Sequence, residues 1–208
     1  MYMFSRNAQQ GTGNLTKQQA SIAAQEILNY ARLVEGAVDR VRRNGCSETE
    51  ISFENDVVPG YEHTPPARDE CKVFDDAGGK VSYTPSIELW LDEQSDTEGS
   101  YGHFYFVAEN NVSQLAVHNQ DDLLIQTSWL KQDVCEEINN LIYDDKTITE
   151  DPSGFFQGHA IGKAIGTFQN NSGNINLTSY SPHGGQETAC FESEDFGGYH
   201  FYHVLLAR

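Results

Sequence analysis

Four cysteines, Cys46, Cys71, Cys135 and Cys190, carry the most definite chemistry in this sequence. No CxxC pair occurs, and no Cys/His spacing matches a zinc site. An even count at wide separation fits two disulfides, for which three pairings exist. The expected one is sequential, Cys46–Cys71 and Cys135–Cys190, each loop closure contributing about 3–4 kcal/mol on the chain-entropy model. Bonds of this kind persist in oxidising compartments.

The other chemically capable groups reduce to structural readings. His200 and His203 form an HxxH, but on a strand a spacing of three sends them to opposite faces, so no shared metal is expected. His103, beside Phe104 and Tyr105, reads as a sheet residue. Asp75, Asp76 and Gly78 lie in DDAGG, which lacks the spacing and the distal glutamate of a calcium loop and reads as a turn. Asp121 and Asp122, like Glu192, Glu194 and Asp195, read as solvated acidic loops. GHAIGKAIG has no lysine–threonine pair and no preceding strand, and neither GxSxG nor HExxH occurs. A carboxylate pair for glycoside hydrolysis is defined by a separation in space that a sequence does not give. Trp90, Tyr101, Phe104 and Tyr105 would make a sugar platform only if exposed; core packing is the expected fate. No catalytic, cofactor-binding or metal-ligating residue is assigned, no cofactor is expected, and the chain reads as non-enzymatic.

The elements that hold these groups begin with a long helix. Thr16 and Gln19 fit a capping box, and Gly45 follows the last periodic residue. Between them Ala20, Ala24, Ile27, Ala31, Val34, Val38 and Val41 recur at steps of four and three, a heptad-like seam flanked by Leu28 and Leu33. The helix would be about 40 Å long. An amphipathic helix of this kind lies on a sheet. Its alanine-rich first turns could also project and meet other copies, which makes Ala20, Ala24, Ile27 and Ala31 candidate interface residues.

Charge supports a division along the chain. The net charge of -18 argues against nucleic-acid partners. Residues 1–43 hold six Lys/Arg against three Asp/Glu, a net of +3, whereas residues 44–208 hold seven against twenty-eight, a net of -21. Arg40, Arg42 and Arg43 cluster at the helix end, where cations complement the macrodipole. They are also candidates for guiding the helix of one copy onto the acidic head of the next.

After Gly45, SETEISFEND reads as a strand through Ile51 and Phe53. CKVFDDAGGKVSYTP reads as a hairpin, with Val73 on one arm and Val81 and Tyr83 on the other. HFYFVA reads as a strand, and LLIQTSWL is ambiguous between strand end and helix start. TSWLKQDVCEEINNLIYDD reads as a second helix with Leu130, Val134, Ile138 and Leu141 on one face. Weak strand signals lie at Gly166–Phe168 and Ile175–Tyr180, and YHFYHVLLA closes the chain as a strand. The expected fold class is α+β: a long N-terminal helix on a mainly antiparallel sheet, one further helix and disulfide-closed loops. Residues 1–13 are expected to be a flexible or truncated segment, 14–45 the spine helix and 46–208 the soluble head. MYMF at the start holds too few apolar residues for a signal-peptide core, and is expected to be either an added start or the stub of a removed hydrophobic segment.

This order of features resembles type IV pilin-like proteins and pseudopilins: an alanine-seamed helix ending at Gly45–Cys46, a strand meander and a cysteine-closed C-terminal region. GCSETEISFEN, CKVFDDAGGKVSYTP and ACFES with YHFYHVLLAR are similar to segments of poorly characterised bacterial proteins that carry one hydrophobic helix ahead of a soluble head. The resemblance implies a structural subunit of a surface filament or periplasmic assembly. It implies self-association or related subunits as partners, and membrane contact only through an anchor absent here. Residues 14–44 match the amphipathic half of the family's helix; its apolar half and processing site have no counterpart. Two other readings compete, a secreted glycan- or calcium-binding domain and a virion or appendage structural protein.

Overall fold

The computed structural model describes residues 15–97, 99–115, 120–151, 162–168, 174–175, 177, 185–194 and 197–208. The first helix, α1 (Lys17–Arg43), begins with the expected capping box: Thr16 Oγ1 accepts from the Gln19 amide at 3.3 Å, and Gln19 Oε1 accepts from the Thr16 amide at 3.0 Å. Its C-cap is Asn44, after which Gly45 turns the chain at φ 90°.

The seam of α1 is used inside its own chain. Ala24, Ile27, Val34, Val38 and Val41 are fully buried, and Ala20 and Ala31 are 1% exposed. The expected interface role of Ala20, Ala24, Ile27 and Ala31 is therefore corrected: small side chains let the α1 backbone approach the second helix and the sheet closely. Leu28, on the flank, is buried as well, while Ile22 and Leu33 remain about half exposed, at 49% and 50%.

Among the described residues six strands form one sheet: β1 (Phe104–Val112), β2 (Asp122–Leu130), β3 (Thr149–Asp151), β4 (Asn174–Ile175), β5 (Thr188–Ser193) and β6 (Tyr199–Leu206), in the order β3-β5-β6-β2-β1-β4. The central four pair antiparallel, and the short edges β3 and β4 add parallel. The second helix, α2 (Gln132–Tyr143), follows β2 after one residue. The architecture is α+β. LLIQTSWL resolves as a strand because β2 sits between β1 and β6 and is buried at every position. For the same reason Leu130 belongs to β2 rather than to the helix, and Leu141 stands on the exposed side of α2.

The segment between α1 and β1 departs from expectation. Ile51 and Phe53 lie in no strand; one parallel bridge joins Ser52 to Lys72. DDAGG does close a turn, with Gly78 and Lys80 amides on the Asp75 carbonyl, but its arms do not pair as a hairpin. Packing of aromatic rings takes precedence there. Phe53 stacks on Phe106 at 4.3 Å, and Tyr61, Phe74 and Tyr83 meet Phe106 edge-on or tilted. No strand lies at 166–168, and 178–180 and residues 1–13 fall outside the described residues.

The same tyrosines close the outer edge of β1. The Phe104 amide donates to the Tyr83 hydroxyl, which donates back to the Phe104 carbonyl, both at 3.1 Å. The Phe106 amide donates to the Tyr61 hydroxyl at 2.9 Å, and Ala108 N and Phe106 O are taken by Gly162 and Ala164. Burial pushes both phenols well above their usual range, so they stay protonated. An edge occupied this way offers no ladder to a passing strand.

Both disulfides form with the sequential pairing, Cys46–Cys71 and Cys135–Cys190. The first ties the end of α1 to the loop that precedes the DDAGG turn. The second ties α2 to β5, between two residues that are essentially fully buried. One hydrophobic core includes α1, α2 and the sheet, so spine and head form a single packed unit.

Candidate functional site in the histidine rows and the outer helix face

The two C-terminal histidines lie on opposite faces of β6, as their spacing requires. Cross-strand partners Phe106, Ile125, His203 and Thr188 make one row, and Ser128, His200 and Phe191 another. The first row faces α1. His203 Nε2 lies 3.2 Å from Glu35 Oε2, and its Nδ1 lies 2.6 Å from Thr188 Oγ1. Since a carboxylate only accepts, Nε2 carries the proton in the neutral ring and Nδ1 accepts from the threonine hydroxyl. Burial lowers the His203 pKa, and Glu35 acts in the opposite sense. A hydroxyl, an imidazole and a carboxylate in series meet the geometric test for an activated nucleophile. They also fasten α1 to β5 and β6.

His200 is fully buried. Its Nε2 lies 2.8 Å from the Gly197 carbonyl and its Nδ1 2.8 Å from Ser128 Oγ, which fixes the proton on Nε2. Burial pushes this imidazole down to about 4. Trp129 packs edge-on against it at 5.2 Å from a bulge of β2, where its φ is 61°. Its indole Nε1 donates to Ser100 Oγ at 2.8 Å. A Cβ on Gly198, whose φ is 72°, would stand 2.9 Å from that indole, so only glycine fits.

Gln126 completes this face between its cross-strand neighbours Tyr105 and Tyr202. Its side chain is fully buried, and among the described residues neither Oε1 nor Nε2 has a hydrogen-bond partner. An unpaired buried amide destabilises, so Gln126→Met, close in shape, should raise stability by about 1 kcal/mol in urea unfolding. A loss of stability on that substitution would show that the amide has a role the fold requires.

Of the other sequence candidates, Trp90, Phe104 and Tyr105 are core residues and only Tyr101 is partly open, so no sugar platform forms from them. Asp122 works as a structural cap, accepting from the amides of Val112 at 2.8 Å and Arg208 at 2.9 Å. Lys163 of the glycine-rich stretch donates to the Pro59 carbonyl and lies over the Tyr61 ring. Among the described residues no group of three or more His, Cys, Asp or Glu is placed to share a metal; Asp195 is not among them. A cavity of about 370 Å³ is lined by Glu54, Asp56, Asp75 and Tyr83, and its one cation, Lys72, is paired with Glu54 at 3.4 Å.

The helix-end arginines divide. Arg40 turns inward and holds the Gly79 carbonyl through Nε at 2.9 Å and Nη2 at 2.6 Å. Arg42 and Arg43 stay exposed, Arg43 within 4.0 Å of Asp39. Sequence reasoning missed the exposed pair Ile22 and Leu33, which share the outer face of α1, and missed the Thr188–His203–Glu35 row. Their eleven-residue spacing, close to three full turns, was the signal for the first. No sequence signal joins Glu35 to Thr188.

Fold and cysteines together define the class: an α+β domain with every cysteine in a disulfide, which places it outside the cytoplasm. Comparison with protein-family models, curated proteins and solved structures finds no match for this chain. Among the described residues no helix is long and apolar enough to cross a membrane.

Proposed function

We propose that this chain is a structural, noncatalytic subunit of a pilin-like surface filament or periplasmic assembly. One observation carries the reading. A 27-residue helix buries its whole apolar seam against the second helix and the sheet and is pinned by a disulfide just past its end, leaving an outer face to solvent. That is how a rigid spine is built into a subunit. Shearing cells of the source organism and fractionating the rest tests it. Recovery in the sheared or periplasmic fraction, with both disulfides mapped by nonreducing peptide mass spectrometry, is the expected result. Cytosolic protein with free thiols would overturn it.

A second reading rests on the Thr188–His203–Glu35 row, which has the parts of an acyl-transfer site. On that reading a fluorophosphonate probe labels Thr188, and His203→Gln abolishes the label. An unlabelled wild-type protein would leave the row as a fastener between helix and sheet.

A further inference from the structure

The two disulfides stand in different surroundings. Cys135 and Cys190 are 0% and 1% exposed, and their bond is enclosed where α2 meets β5. In the other bond Cys71 is likewise sealed, but Cys46 is 5% exposed. It lines an open cavity of about 410 Å³ together with Arg42, Ser47, Glu48 and Thr49. Arg42, Ser47 and Thr49 are themselves exposed, so solvent reaches the cavity directly. Thiol–disulfide exchange needs a nucleophile to reach one of the two sulfurs, and access therefore decides which bond opens.

Charge around Cys46 permits that approach. Nη2 of Arg68 lies 3.8 Å from its Sγ, and Arg42 borders the same cavity. Arg208 pairs with Glu48 at 2.9 Å, while Arg68 is shared between Glu50 at 3.2 Å and Glu70 at 2.9 Å. Three guanidinium groups thus match three carboxylates here, although the whole chain carries a net charge of -18. An anionic thiolate repelled by most of this molecule meets no such barrier at Cys46. Nor does the surrounding fold rest on the bond alone. Ser52 N donates to the Cys71 carbonyl at 3.0 Å, Val73 N to the Ser52 carbonyl at 2.8 Å, and Arg40 holds the Gly79 carbonyl.

We propose that Cys46 is a thiol-exchange site, at which a dithiol opens the Cys46–Cys71 bond while the fold and the Cys135–Cys190 bond persist. A thiolate of the dithiol attacks Cys46 Sγ from the cavity. A new S–S bond forms there, the Cys46–Cys71 bond breaks, and its electron pair leaves on Cys71 Sγ, which takes up a proton. The second thiolate of the dithiol then attacks the reductant's own sulfur in the mixed disulfide and releases Cys46. Two electrons pass to the protein, which ends with two thiols, and the dithiol becomes a cyclic disulfide. Burial favours the neutral thiol at Cys71, which slows its return attack. Opening releases the end of α1 from a link spanning 25 residues, and the aromatic packing on Phe106 remains. The site goes beyond the structural-subunit reading and does not depend on it.

Timed exposure of the oxidised full chain to dithiothreitol, followed by acid quenching, alkylation in denaturant and peptide mass spectrometry, tests this. Cys46 and Cys71 should become open to alkylation about tenfold faster, or more, than Cys135 and Cys190. Circular dichroism should stay native while only the first pair has opened. Glutathione, a monothiol, should be found on Cys46 and not on Cys71. Arg42→Glu should slow the opening about threefold at low salt and little at high salt. Each of five results would overturn the proposal. They are equal rates for the two bonds, earlier opening of Cys135–Cys190, glutathione on Cys71, a wild-type rate for Arg42→Glu at low salt, and a Cys46–Cys71 bond that opens only as the dichroism is lost.

Discussion

Replacing Cys135 and Cys190 together by alanine should lower the unfolding free energy by about 4 kcal/mol, measured by urea unfolding. The bond spans 55 residues and joins α2 to β5 within the core. Freed of it, the unfolded chain regains the conformations that the closed loop denies. The matching change at Cys46 and Cys71 spans 25 residues and should cost about 3.5 kcal/mol, slightly less because the loop is shorter. Reductant should reproduce both losses in wild-type protein and add nothing to a chain lacking all four cysteines. A Cys135→Ala/Cys190→Ala chain as stable as wild type would show that this link does not support the native state.

Acid should destabilise the protein well above the range in which its carboxylates titrate. His200 is held neutral in the fold, its pKa pushed down to about 4 by burial, against about 6.5 in an unfolded chain. The folded state therefore binds fewer protons than the unfolded state between these values. Stability is fully present above about pH 6.5 and is lost as pH falls towards 4, by about 3 kcal/mol from this residue alone. His63, His103 and His203, also lowered by burial, act in the same direction. Asp122, whose carboxyl burial raises, opposes them at the acid end. His200→Gln removes the titrating ring, so unfolding free energies at pH 7 and near pH 4 should differ by about 3 kcal/mol less than in wild type. An identical pH dependence in the two proteins would rule out His200 as the source.

Neither prediction rests on an active site, and both follow from how the core was assembled. The helix face of the sheet takes Cys190 and His203 against α2 and α1, and the other face takes His200 against Ser128 and the Gly197 carbonyl. Opposite placement of the two histidines was readable from a period of two. What each would touch was not.

The sequence by itself determined the elements whose signals are local. Thr16 and Gln19 mark the start of α1, the four-and-three seam marks its buried face, and the aromatic runs at 104–107 and 199–202 mark β1 and β6. It also determined the class, since an even set of widely spaced cysteines and a helix followed by strands admit few folds. Tertiary structure decided the rest, for a physical reason visible at particular residues. Phe53 and Phe74 have strand-like composition, yet their rings pack on Phe106 and on each other, whereas an isolated two-stranded hairpin is marginally stable. Ala20 and Ala24 suit contact with any close partner; that the partner is their own chain depends on where the sheet and α2 lie. Thr188 and Glu35 are separated by most of the sequence and meet only through His203, because antiparallel pairing of β5 with β6 and packing of α1 bring three distant segments together. Local patterns fix which face of an element seeks cover, and only the assembled core fixes what covers it.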